Sequence, residues 1–505
     1  MKFYTENYEN QNSLEHKDII ILVHSSWDDW FAYNTLYILY YYNKDGEEIR
    51  LGSVKIGQKG MKSGQRMPNL LDTFETLTED FFSLGQDISF YENLNKIGID
   101  FREEVLNALN DIAYNDKAYN IALNENVTKI SLLRSVSQTS VEGEYRRLTK
   151  GDSQLTEFGF KFHAPLHEKS LVDQMILEFN VKPKSNPPTN VNVIIGRNGV
   201  GKTHLFNNMI SALLNGNKVG TKYGYFTDKE DVLHNPFSNI ISVSFSAFDE
   251  TNPIIETRDK TKSINYSYIG LKREKKGREL MPPKSPVILK NEFIKSIKTC
   301  HIQGKKNRWI DTLKTLETDP IFKEAQVSKL ADGIIDDNFK EKASTIFNKL
   351  SSGHKIVLLT VTELVEKIEE RSLVLLDEPE GYLHPPLLSA FIRALSDLLI
   401  KRNAVAIIGT HSPVVLQEVP RKSAWKIRRH GANAIAERLE IESFGENVGL
   451  LTQEIFGLEV TDSGFHNILK EISSKYKTYS EAIETLDNQL GMEGKAILRT
   501  LMHSK

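Results

Sequence analysis

The chain has 505 residues, 40% hydrophobic and 26% charged, which suits a soluble protein large enough for two or three cores. Its formal net charge of −3 excludes a global electrostatic signature of nucleic-acid or acidic-substrate binding, so any such signal must be local. Cys300 is the only cysteine, which excludes an intramolecular disulfide and any Cys-x-x-Cys zinc site.

Met1 to Asn10 is polar from its start and lacks the apolar centre of a secretory signal; no stretch approaches the roughly 18 uninterrupted apolar residues of a membrane span. A cytoplasmic protein is expected. From Asp18 to Gly57, DIIILVHSS, NTLYILYYYN and IRLGSVKIG are rich in β-branched and aromatic residues and bounded by turn signals, predicting a small antiparallel sheet. Helical spacing follows over Leu70–Leu84 and Phe101–Ala113. Residues 1–150 therefore read as an α+β module without a catalytic constellation.

Residues 151–420 read differently. Phe158, Phe160 and Phe162 alternate along an edge strand, and Met175 to Val181 is a second strand. His163 and His167 are four apart, but Pro165 argues against a helix between them, leaving two exposed histidines as the expectation. After the Pro-rich KPKSNPPTN, strands VNVIIG, NIISVSFSAF, SLVLLDE and NAVAIIGTH alternate with helices, among them one from Lys202 to about Leu214 and one after Ser352. Such alternation predicts an α/β fold with a mostly parallel sheet covered by helices, whose ligand lies at the carboxyl ends of the strands. The motifs fall there.

Gly196 to Thr203, GRNGVGKT, matches G-x-x-x-x-G-K-[ST] between a strand and a helix. The backbone around Asn198, Gly199 and Gly201 can wrap a phosphate, Lys202 can reach the β- and γ-phosphates, and Thr203 can hold Mg²⁺. In SLVLLDEPE, Asp377 ends a strand where it can bind the same Mg²⁺, and Glu378 can polarise an attacking water. His411, at the end of AIIGTHSP and 33 residues after Glu378, can bond the γ-phosphate; taken alone, it would be a surface histidine.

With LSSGH ending 23 residues before Asp377, these words resemble, in order, the ABC ATPase head: Walker A, signature, Walker B and switch histidine. DEPEGYLHP and GTHSPVVL are similar to the SMC/RecF/OLD-like branch rather than to transporter subunits. The resemblance spans about Glu157 to Pro420. It implies ATP and Mg²⁺ as ligands and a homodimer with two ATPs sandwiched between its heads, extendable to a higher oligomer. Ser352 and Gly353 of one subunit would then donate to the nucleotide held by the other. Two departures stand out. His354 replaces the usual signature glutamine, and SVSFSAFDETN has no Q-loop glutamine, leaving Asp249 or Ser246 in that place and making slow or absent turnover an expectation. For the aromatic that stacks on adenine, Phe160 and Phe162 are the candidates.

An insertion at about 250–345 carries fifteen Lys/Arg against four acids between Arg258 and Arg308, a local +11 that can neutralise DNA phosphates or form a solvated loop. Residues 421–505 begin with a hairpin, AWKIRRHGANAIAERLEIE, turn helical from Asn447, and carry no Toprim or HNH nuclease motif. A lone ATPase of this size resembles the PtuA family of Septu-type antiphage systems, with FGENVGLLTQEIFGL and SSWDDW as further similar stretches. That resemblance implies a partner HNH-type nuclease under nucleotide control, and the tail's apolar helical positions Ile468, Ile472, Leu486, Leu490 and Leu498 can dock it, while packing on the chain's own sheet is the expectation for most of them. A RecF-like DNA-repair ATPase and a non-hydrolysing ATP-dependent scaffold are the alternatives.

Overall fold

The structure is a computed structural model that describes residues 1–7, 16–25, 29, 32–62, 64–151, 155–166, 172–183, 185–245, 264–273, 281–302, 305–331, 337–431, 433–457 and 464–503. A six-stranded sheet holds β1 (Lys2–Thr5), β2 (Ile19–His24), β3 (Leu36–Tyr42), β4 (Glu48–Gln58), β5 (Thr73–Phe74) and β6 (Phe81–Gly85) in the order β5-β1-β2-β3-β4-β6. It is mixed, because β1 runs parallel to β2. The helices Ile88–Ile97 and Ile99–Ala108 close one face, burying Phe90, Leu94, Val105 and Leu106 against Leu39 and Ile56. Leu70–Leu84 is not helical. Phe74 pairs with Phe3, and Phe81 to Gly85 pairs with Gln58 to Val54, so cross-strand partners far along the chain override the local three-to-four spacing.

The second domain, the head, is α/β with a mostly parallel sheet, as expected. Its strands β9 (Val191–Ile195), β11 (Asn239–Ser244), β12 (Asn265–Gly270), β13 (Leu373–Asp377), β14 (Val405–Thr410), β15 (Ala424–His430) and β16 (Asn433–Glu437) form a sheet ordered β12-β11-β13-β14-β9-β15-β16. All neighbours are parallel except β15 and β16. The central strands are apolar on both faces, as double-sided burial requires. One face packs on α5 (Ser352–Lys367) and α6 (Pro385–Lys401). The other packs on α1 (Lys202–Leu214) and a three-stranded antiparallel sheet of β10 (Tyr225–Thr227), β7 (Phe158–His163) and β8 (Ile176–Val181), in which β7 is central rather than an edge. His163 is buried at the end of β7, bonded to the Thr227 hydroxyl at 3.1 Å, and burial lowers its pKa, contrary to the expected exposure. His167 lies outside the described residues.

The insertion contributes the edge strand β12 to the main sheet, and after it come the helices α2 (Pro286–Ile302), α3 (Lys306–Leu316) and α4 (Pro320–Ala325), which cover α5 and bury Phe293, Ile297, Trp309 and Phe322 completely. Cys300 is buried there too, and burial raises its thiol to about 12. Not all of the positive charge is free. Lys305, 4% exposed, donates to the Glu366 carbonyl at 2.6 Å, Lys284 pairs with Glu292, and Arg308 pairs with Asp87 at 3.1 Å. The densest basic run, Lys272 to Arg278, falls largely outside the described residues.

The N-terminal module meets the head at the amino ends of the parallel strands. Arg402, before β14, makes a bidentate pair with Glu144 at 2.8 Å for both bonds, and both side chains are buried. Before β13, Glu369 accepts from Ser137 N–H at 2.9 Å and the Ser140 hydroxyl at 2.6 Å, while Glu370 pairs with Arg147. The carboxyl-terminal helices Phe465–Lys475, Tyr479–Glu484 and Met492–His503 share a small core of Leu469, Ile472, Ala482, Ile483 and Leu498. Of the tail's five apolar positions, Ile472 and Leu498 are buried in that core, Leu486 and Leu490 pack against it, and Ile468 stays 54% exposed.

Candidate functional site

Register aligns the strand ends that carry the motifs. Asp377 stands beside Gly409 across β13 and β14, Thr410 stands beside Ile195 across β14 and β9, and Gly196 N–H donates to the Thr410 carbonyl at 3.3 Å. The phosphate loop, the acids and the histidine therefore emerge on one edge of the sheet, its carboxyl end.

The loop runs from Gly196 to Gly201, with Asn198 and Gly199 exposed at its mouth. Gly199 (φ +82°) and Gly201 (φ +99°) adopt left-handed conformations that favour glycine and turn the backbone into α1. Lys202 is 4% exposed, and its ammonium bonds the Gly196 and Arg197 carbonyls at 3.0 and 3.1 Å while standing 3.4 Å from Glu378. Arg429, from the hairpin strand β15, donates Nε–H to the Val200 carbonyl at 2.9 Å and lays its guanidinium against Gly201. Motif reading could not find this residue, because it lies outside the Walker words and reaches the loop only through the pairing of β15 with β9.

Thr203 donates its hydroxyl to Asp377 Oδ2 at 2.6 Å, joining the phosphate loop to the strand-end acid across 174 residues of sequence. Two oxygens on adjacent positions of an octahedral Mg²⁺ lie about 2.9 Å apart at bond lengths of about 2.0–2.1 Å. This pair matches that spacing after a shift of about 0.3 Å, so the donor set fits the ion.

Glu378 occupies the left-handed region at φ +47°, uncommon for a residue with a Cβ. Its N–H donates to the Gly409 carbonyl at 2.8 Å, and its carboxylate stands between Lys202 and His411, whose Nδ1 is 3.5 Å away. The same histidine nitrogen lies 3.3 Å from Glu380. Glu380 also accepts from the Thr410 hydroxyl and, at 3.0 Å, from His411 N–H, so it fixes the turn that presents the histidine. The DEPE word contained this glutamate, but its spacing gave it no assigned role. The structure thus brings Lys202, Thr203, Asp377, Glu378 and His411 together.

Ser352 and Gly353 lie elsewhere. Ser352 is exposed at the start of α5, whose cap is Ser351, and Gly353 is buried where a Cβ would stand 2.5 Å from the Tyr382 carbonyl. Among the described residues, no hydrogen bond or ion pair joins either one to the phosphate loop. His354 is buried: its Nδ1 lies 2.6 Å from Ser351 Oγ and its Nε2 lies 3.1 Å from Asp319.

One expectation fails on packing. Phe160 and Phe162 are fully buried among Phe179, Phe226 and Phe237, so neither offers a face to an adenine. Alternation along β7 marked the buried side of a covering sheet. Ser246 and Asp249 lie outside the described residues.

Residues 316–417 match the family model described as "AAA domain, putative AbiEii toxin, Type IV TA system". Protein ea59 of Escherichia phage lambda is 37% identical over 504 residues, covering 95% of this chain and 94% of that one. Among solved structures, an ATP-binding cassette of an ABC transporter in its ADP conformation overlays with a TM-score of 0.32 at 14% identity, covering 61% of this chain and 100% of that one. UvrA2 from Deinococcus radiodurans overlays at 0.26 and 11% identity, covering 56% of this chain and 38% of its own.

Proposed function

The chain belongs to the family of protein ea59 of Escherichia phage lambda, and from that premise and the site just described we propose that it binds ATP with Mg²⁺ and hydrolyses it at the edge of β9, β13 and β14. The observation that supports this most directly is the Thr203–Asp377 junction at 2.6 Å beside a Glu378 held between Lys202 and His411. In the reading proposed, phosphate oxygens replace the Gly196 and Arg197 carbonyls as partners of Lys202. Thr203 and Asp377 would hold Mg²⁺, whose charge would offset that of the β- and γ-phosphates. Glu378 orients and deprotonates the attacking water, and His411 donates to the γ-phosphate.

Ser352 and Gly353 stand apart from their own phosphate loop at the amino end of a 16-residue helix, which supports their serving a second copy of the chain across an ATP-sandwiched dimer. At the finer level, the reading is an antiphage defence ATPase whose nucleotide state controls a separate HNH-type nuclease. DNA is bound through those basic residues of 258–308 that are not engaged internally. Wild type beside Lys202→Ala tests the ATPase core: equilibrium ATP binding with Mg²⁺, phosphate release, and mass in solution with and without nucleotide. Lys202→Ala is expected to lose both binding and ATP-dependent self-association. Equal ATP affinity in the two proteins would remove the phosphate loop from the proposal. Tight wild-type binding without phosphate release would make ATP a structural ligand.

A further inference from the structure

We propose a second metal site, distinct from the Mg²⁺ pair, formed by Asp319, His354 and His384. One ligand atom from each of the three lies within 4.8 Å of the others, the one such histidine and carboxylate group among the described residues. Three elements converge there. Asp319 caps α4, accepting from Ile321 and Phe322 N–H at 2.9 and 3.2 Å; His354 sits in the first turn of α5; His384 caps α6.

The donor set of two imidazoles and one carboxylate suits a borderline divalent ion such as Zn²⁺ or Co²⁺ rather than Mg²⁺ or Ca²⁺. His354 Nε2 and Asp319 Oδ1 are 3.1 Å apart. Two ligands at about 2.0–2.1 Å on a tetrahedral ion stand about 3.3 Å apart, so this buried pair is already at coordinating distance. The remaining closure falls to His384, the exposed member of the three.

Ser351 supplies the supporting contact. Its hydroxyl lies 2.6 Å from His354 Nδ1, so with the ion present Nδ1–H donates to Ser351 and the Nε2 lone pair faces the metal. Without it, the other tautomer satisfies both partners, with Ser351 donating to Nδ1 and Nε2–H donating to Asp319. His384 gives up a long 3.3 Å contact from Leu387 N–H to its Nδ1 when it coordinates. The histidine that replaces the signature glutamine is therefore a ligand that would tie the insertion, the signature helix and the helix after the Walker B acids into one cross-link.

The test uses the full chain, stripped with chelator, without nucleotide. Co²⁺ titration followed by visible d–d absorption, and Zn²⁺ content after dialysis by mass spectrometry, are compared for wild type, His384→Ala and His384→Asp. Wild type is expected to take up one equivalent with tetrahedral absorption. His384→Ala should weaken binding at least about 100-fold and, by removing the cap on Leu387 N–H, lower the metal-free melting temperature slightly, whereas His384→Asp, which keeps a capping oxygen, should restore both that temperature and part of the binding. Absence of saturable uptake by wild type overturns the proposal. Uptake equal in wild type and His384→Ala overturns it as well, since the ion would then sit elsewhere.

Discussion

Glu378→Gln separates chemistry from binding most sharply. The carboxylate is 3.4 Å from Lys202 Nζ and 3.5 Å from His411 Nδ1, and 38% of its side chain is exposed. The amide keeps the shape and the left-handed backbone, so conformational strain cancels between the two proteins. What is lost is the charge and the proton-accepting oxygen. A positioned general base contributes about 10²- to 10⁴-fold, which at about 1.36 kcal/mol per decade is about 2.7–5.4 kcal/mol of barrier. Binding should move the other way: without a carboxylate competing for Lys202 and facing the γ-phosphate, ATP affinity should rise. Phosphate release in steady state, equilibrium binding of a fluorescent ATP analogue and mass in solution give the three readings. Turnover reduced at least 100-fold, with ATP affinity kept or raised and the dimer retained, is expected. Turnover within about threefold of wild type would refute Glu378 as the base, and joint loss of affinity and turnover would mean that the change had damaged the loop instead.

Gly353→Ala should destabilise the head and displace the signature turn, because the new Cβ would lie 2.5 Å from the Tyr382 backbone carbonyl; a loss of about 1–3 kcal/mol in urea unfolding is expected. Arg402→Ala leaves Glu144 buried without its bidentate partner and should cost about 3–5 kcal/mol, whereas the double change Arg402→Met, Glu144→Leu should cost much less; chemical denaturation of the three proteins compares them. Asp111 gives a pH dependence. Burial raises its carboxyl to about 7 even though Ala113 N–H, Gly85 N–H and the Tyr91 hydroxyl all bond it. The folded state therefore binds more protons than the unfolded chain between the ordinary carboxylate range and about 7, so this residue's contribution to stability falls as pH rises across that window. Thermal melts from pH 5 to 8 should show a flatter profile for Asp111→Asn than for wild type.

The site was legible where local sequence dictates local geometry. SLVLLDE and NAVAIIGTH are buried parallel strands, and a run apolar on both faces is how such strands read; the polar residue that ends each must then sit at the sheet edge. Glycines at Gly199 and Gly201 were legible for a similar reason, because the left-handed turn requires them. Long-range pairing set what remained. Nothing near Arg429 says that β15 lies beside β9, and nothing near Phe160 says that β7 is covered on its aromatic side. The charge count over the insertion likewise could not separate Lys305, buried against α5, and Arg308, partly buried and paired with Asp87, from cations left in water.

These placements meet on α5. At about 1.5 Å per residue its 16 residues span about 24 Å, from Ser352 to the seam with the N-terminal module. At the amino end, Asp319 of the insertion grips His354. Further along, Trp309 donates to the Thr362 hydroxyl at 3.1 Å, and Lys305 and Arg308 bond the carbonyls of Glu366 and Val365. Just past the carboxyl end, Glu369 is held by Ser137 and Ser140. A helix so thoroughly buried has little room to bend, because close packing on all sides penalises displacement of any one turn. A shift at Ser352 and Gly353 would therefore reach Glu369 as a movement of the whole rod. The N-terminal module, though it meets the sheet at the end away from Gly196–Gly201, is joined through α5 to the turn at Ser352 and Gly353.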